Sequence, residues 1–89
     1  MPYVLKCVGT GEIAAAVQRN VYDLDYYGAE WWADEDEAQR AAADRPGWIP
    51  VQVTEMKLKV LNVKLNNDAG RKLFMDDTGA LRVETSSAR

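Results

Sequence analysis

The 89-residue sequence has no histidine. That absence removes Ser-His-Asp and Cys-His catalysis and most zinc sites. A single cysteine, Cys7, excludes an internal disulfide and fits a reducing compartment, so a cytoplasmic location is expected. No apolar run approaches the roughly 18–20 residues that cross a bilayer. The opening segment MPYVLKCVGTGE has no basic stretch leading into a long apolar one, so no secretory signal is expected. Repeats, linkers and low-complexity segments are also lacking. The apolar fraction of 47% and charged fraction of 28% then argue for a folded domain rather than a disordered chain. The length leaves room for one core, and a single domain over 1–84 with a flexible tail at 85–89 is expected.

The net charge of −3 weighs mildly against direct nucleic-acid binding. Its distribution says more. Residues 21–44 carry eight acids and one base, for −7, whereas residues 45–75 carry six bases and two acids, for +4. The simplest account is that the two segments lie side by side and neutralise each other, with each exposed pair contributing at most ~1 kcal/mol.

Local signals describe an α+β domain: a largely antiparallel sheet with one short helix, at about 34–45, packed on one face. Tyr3-Val4-Leu5-Lys6-Cys7-Val8 reads as a strand stopped by Gly9-Thr10-Gly11. Glu12–Asn20 fits a strand or a helix, and the preceding turn favours the strand. Asp34 as N-cap, Glu37 three residues on, and a run of alanines ended by Pro46-Gly47 specify the helix. Its buried face should be Ala38, Ala41 and Ala42. Trp48–Thr54 reads as a strand, placed at an edge by Pro50. Glu55–Leu65 fits a bent strand, or a helix capped by Thr54 with Met56, Val60 and Val63 on one face. Asp76-Asp77-Thr78-Gly79 is a hairpin turn between Lys72–Met75 and Ala80–Glu84.

Chemistry finds few footholds. Without histidine, acid–base catalysis would need a strongly displaced carboxylate, lysine, tyrosine or Cys7. The acids crowd a helix start, where dipole and mutual repulsion oppose each other and single out no residue. Cys7, in an apolar run, reads as a small buried hydrophobe, and Gly9-Thr10-Gly11 lacks the rest of a phosphate loop. No catalytic residue, cofactor or metal is assigned. The stretch Asp23-Leu24-Asp25-Tyr26-Tyr27-Gly28, with Asp34 at position 12, partly matches a calcium loop. It departs from that pattern at Tyr27 and Glu30.

Five of the eight aromatics, Tyr22, Tyr26, Tyr27, Trp31 and Trp32, fall in eleven residues among the acids. One account uses Tyr22, Trp31 and Trp48 as core. The other makes the segment an interface, because tyrosine and tryptophan anchor interfaces and carboxylates steer towards basic partners. In a strand, Trp31 and Trp32 point to opposite faces, which leaves one for solvent or a partner. The candidate partner-binding residues are Asp23, Asp25, Tyr26, Tyr27, Glu30, Trp31, Trp32, Asp34, Glu35, Asp36 and Glu37.

In size, in the passage Trp31-Trp32-Ala33-Asp34-Glu35-Asp36-Glu37-Ala38 and in the strand at Trp48–Thr54, the chain resembles small phage- and mobile-element-encoded accessory proteins of the anti-CRISPR type. The resemblance implies a non-enzymatic inhibitor or adaptor that occupies a basic, nucleic-acid-handling surface of a host protein. An alternative uses the other half of the chain. Lys57, Lys59, Lys64, Arg71 and Lys72 would form a basic strip on a small nucleic-acid-binding subunit, and the apolar Met56–Leu65 run could pair two copies as a homodimer.

Overall fold

The β-forming run at the N-terminus becomes β1 (Tyr3–Cys7), and its partner is the strand that carries Pro50, β4 (Trp48–Gln52). They pair antiparallel with Leu5 opposite Pro50. Within named strands β4 has no other neighbour, as a proline-bearing edge requires. The computed structural model describes residues 1–85. It contains two further hairpins, β2 (Ala15–Arg19) with β3 (Asp25–Ala29) and β5 (Arg71–Met75) with β6 (Leu81–Thr85). The fold is α+β and every strand pairing is antiparallel, but there are three two-stranded sheets rather than one.

The segment Gly11–Ala14 stitches them together. Cys7 N–H donates to the Glu12 carbonyl and Ala14 N–H to that of Leu5, while Ile13 N–H reaches Leu73 and Met75 N–H reaches Gly11. Successive residues thus bond alternately to β1 and to β5, as a strand between two neighbours does. On the same flank of β1, Tyr3 and Trp32 exchange both main-chain bonds at 2.9 Å.

Two helices pack against this framework where the sequence indicated one. The first, α1 (Glu35–Ala43), begins as expected, with the Asp34 carboxylate accepting from Glu37 N–H at 2.9 Å. Ala38 is fully buried and Ala41 and Ala42 are half-buried, so the small-residue face lies close against β1 and β4. The second, α2 (Glu55–Leu65), resolves the ambiguity of that segment in favour of a helix. The Thr54 hydroxyl caps it by accepting from Lys57 N–H, and Asn66 ends it in the left-handed region at φ 54°. Its buried face is Leu58, Leu61 and Leu65, not Met56, Val60 and Val63; Met56 and Val63 are largely exposed. Apolar residues ring α2, so sequence periodicity alone could not choose the face.

The core is aliphatic. Val4, Ile13, Ala29, Val53, Leu61, Leu65, Leu73 and Met75 cluster beneath α2. Leu5, next to Val4 and equally buried, belongs to the opposite face of β1, where α1 packs. Burial of both faces explains why β1 reads as a continuous apolar run. The account in which Tyr22, Trp31 and Trp48 build the core does not hold, because Tyr22 is 80% exposed, Trp31 45% exposed and Trp48 only half-buried.

The two outer hairpins share one turn design. Asn20 N–H bonds the Leu24 carbonyl and Asp23 N–H bonds that of Asn20; Asp76, Ala80 and Gly79 repeat both bonds. In each, the first side chain accepts from the N–H groups two and four residues on. Each ends on a left-handed residue, Asp23 at φ 62° and Gly79 at φ 89°. Thr85, expected in the tail, closes β6 opposite Arg71, and residues 86–89 of that expected tail lie outside the described residues. No helix among the described residues is long and apolar enough to cross a membrane.

Candidate functional site

The acidic aromatic segment is spread over three places by its own secondary structure. Residues 25–29 form β3, a strand that the sequence signals did not mark, so the middle of the stretch that partly matches a calcium loop is extended strand. At the hairpin tip, Arg19 pairs with Asp23 at 3.0 Å and with Asp25 at 3.1 Å, partly neutralising both. Past the strand, Glu30 accepts two bonds from the Arg45 guanidinium, at 2.8 and 2.9 Å. That bidentate pair links the acidic and basic halves of the chain, and it raises the Arg45 pKa further above its ordinary value. Asp34 is committed as the α1 cap. Glu35 accepts from Gln39. Asp36 and Glu37 are exposed and make no side-chain hydrogen bond or ion pair among the described residues.

The aromatics separate as well. Tyr22 projects from the hairpin tip, beside the exposed Val21 and Leu24. Tyr26 is half-buried, and Tyr27 packs against the core. Burial pushes the Tyr27 phenol up, and Glu12 and Glu30 add to the shift. Trp32 is half-buried, whereas its neighbour Trp31 is 45% exposed. The pair lies outside the named strands, with Trp32 making an isolated bridge to Tyr3, and Trp31 is the outward one.

Trp31 forms one wall of an apolar hollow of about 320 Å³. Met1, Pro2 and Ala33 line it with Trp31, and α2 supplies Leu58, Lys59, Asn62 and Glu55. The position of the hollow follows from how α2 meets β3. The Tyr27 and Ala29 N–H groups point away from β2 and donate to the side-chain oxygens of Asn67 and Asn62, at 2.6 and 2.9 Å. Two asparagines thus satisfy a strand edge that has no strand beside it. Gly28 permits this approach, since a Cβ there would stand 2.7 Å from Asn62 Oδ1. Beyond Asn62 the capping stops and the hollow opens.

Two of the five basic residues expected to form a strip are engaged with carbonyl groups of the fold. Lys57 donates to the Gly79 carbonyl at 2.7 Å and Arg71 to that of Lys64 at 2.9 Å. Lys59, Lys64 and Lys72 are exposed. Cys7 is half-buried rather than buried, and its thiol is held below the usual range chiefly by the Thr10 hydroxyl. The Asp76 carboxyl is likewise lowered, first by the Thr78 hydroxyl and then by backbone N–H groups of its turn.

Sequence reasoning named Trp31 but missed Pro2, Leu58 and Asn62. They come from distant parts of the chain, and only the capping of β3 by α2 brings them to it. Comparison with known protein families, characterised proteins and solved structures gives no match to this chain.

Proposed function

We propose that this protein is a non-enzymatic binding module that docks on a basic protein surface through Trp31, its hollow and the first turn of α1. The observation that carries the reading is the exposure of Trp31. A large aromatic left at 45% exposure against an apolar hollow is the kind of anchor that interfaces use. Beside it, Asp36 and Glu37 supply negative charge that no cation of the described fold takes up. This narrows the expected surface from the whole of Tyr22–Glu37 to Trp31–Glu37 with part of α2. Asp23, Asp25 and Glu30 then serve mainly to hold the fold.

A partner of the nucleic-acid-handling kind fits, since such proteins present basic surfaces that carboxylates can occupy in competition with phosphates. That is the mode of the phage-encoded inhibitors whose format the chain resembles. Binding is favoured over catalysis by the missing histidine. The alternative of a dimeric nucleic-acid-binding subunit has less support, because Lys57 and Arg71 are engaged internally.

Quantitative affinity capture from host extract tests the proposal, comparing wild type with Trp31→Ala and with Asp36→Lys/Glu37→Lys. Asp34 is left in place so that α1 keeps its cap. A specific partner should be retained by wild type, released by salt and lost with both variants while their melting temperatures stay within a few degrees. Equal capture by all three would refute the assignment of this surface.

A further inference from the structure

The edge that Asn67 and Asn62 cap continues past them without a cap. Residue 32 bonds back to Tyr3, so the main-chain groups of residue 31 point the other way, on the same side as the Tyr27 and Ala29 N–H groups. Among the described residues, the Trp31 N–H and C=O and the Ala33 N–H have no hydrogen-bond partner. The apolar hollow lies directly against this open edge, with Trp31 and Ala33 on one side and Leu58 of α2 on the other. A free strand edge next to an apolar hollow is how sheets receive a peptide: main-chain bonds hold it and a pocket selects one side chain.

We propose that this site binds an extended, basic peptide segment of the partner protein, added as a short antiparallel strand along Trp31–Ala33. One apolar side chain sits against Trp31, Pro2 and Leu58. The proposal rests on the reading above and specifies which part of the partner is taken. The hollow of about 320 Å³ is at the small end of ligand pockets, matching one or two aliphatic side chains rather than a cofactor. Charge sets the flanks of the peptide. The residue after Ala33 opens the acidic run Asp34–Glu37, four carboxylates, while the hollow itself is lined by the Glu55 carboxylate and two ammonium groups, of Lys59 and Met1. Lysines or arginines on either side of the anchor complement that rim.

Four short acetylated peptides test this, with leucine or alanine at the centre and with lysine/arginine or glutamine flanks. Each is titrated into isotope-labelled protein and followed by amide shifts. The basic leucine peptide should shift the Trp31, Ala33 and Asn62 amides and bind roughly tenfold tighter than its alanine counterpart. Glutamine flanks should weaken it by a similar factor and remove the salt dependence. Ala33→Lys, on the exposed rim, should abolish binding without lowering the melting temperature. Charge dependence without anchor dependence would overturn the proposed peptide site and leave the acidic docking surface standing. Anchor dependence without charge dependence would overturn the basic occupant. Absence of any peptide binding would overturn the peptide site. The docking surface would fall only if capture is equal for wild type, Trp31→Ala and Asp36→Lys/Glu37→Lys.

Discussion

Replacing Gly28 by alanine sets one added methyl group against one hydrogen bond. The new Cβ would lie 2.7 Å from Asn62 Oδ1 and 2.7 Å from a ring carbon of Tyr26. The Tyr26 ring is half-buried and can turn aside. Asn62 cannot retreat without releasing the Ala29 N–H, which it holds at 2.9 Å on a residue with no solvent exposure. A buried N–H left without a partner costs about 1–3 kcal/mol. Gly28 is not in the left-handed region, so alanine returns about 0.5–1 kcal/mol of backbone entropy. The net loss should be about 1–2 kcal/mol, a fall of roughly 5–15 °C in melting temperature for a domain of this size. Asn62→Ala alone removes the same bond and should cost about 1–3 kcal/mol. In the double variant the obstruction is gone, and the alanine at 28 should add under ~0.5 kcal/mol to the cost of the first change. Urea unfolding of the four proteins by circular dichroism closes the cycle. A coupling of about 1–2 kcal/mol is expected, and costs that simply add within ~0.5 kcal/mol would refute the mechanism.

Three further outcomes follow from the turns and from α2. Asp76 has a lowered folded-state pKa, so its contribution is present above the unfolded value near 3.9 and is lost as pH falls through the folded one. Asp76→Asn, which imitates Asn20 in the sister turn, should melt below wild type at pH 7, with the gap closing in melts taken below about pH 4; a gap independent of pH would count against the carboxylate. Asp23→Gly relieves a left-handed aspartate at the position where the other turn has Gly79, and should raise stability by roughly 0.5–1 kcal/mol in spite of the lost Arg19 pair. A lowered melting temperature would show that the ion pair outweighs the strain. On α2, Leu61→Ala should cost about 2–5 kcal/mol in denaturant titration, while Val63→Ala stays within ~0.5 kcal/mol; the reverse ranking would mean that the helix faces the other way.

What could be read in the sequence was what local chemistry decides. The α1 helix was legible because its cap, its alanine face and its Pro46-Gly47 stop are all local. The Asp76–Gly79 turn was legible for the same reason. α2 was not, because leucines, valines and a methionine surround it and fit two periodicities equally. β3 was hidden by the acids and aromatics that drew attention to a binding role; its pairing with β2 and its capping by Asn62 and Asn67 depend on contacts across the chain. Exposure of one of the two adjacent tryptophans was expected, but which one, and the hollow beside it, depended on Pro2 and Leu58 arriving from elsewhere. Asp34 was legible as a cap, whereas the pairing of Glu30 with Arg45 is a tertiary result.

The two asparagine bonds to β3 reach 33 and 40 residues ahead in the chain. The second flank of Gly11–Ala14 is paired from further still, by Leu73 and Met75. The native edges of the N-terminal half are thus completed by residues of α2, its C-terminal end and β5. A fragment ending before Asn67 therefore lacks a partner for the Tyr27 N–H and the second flank of Gly11–Ala14.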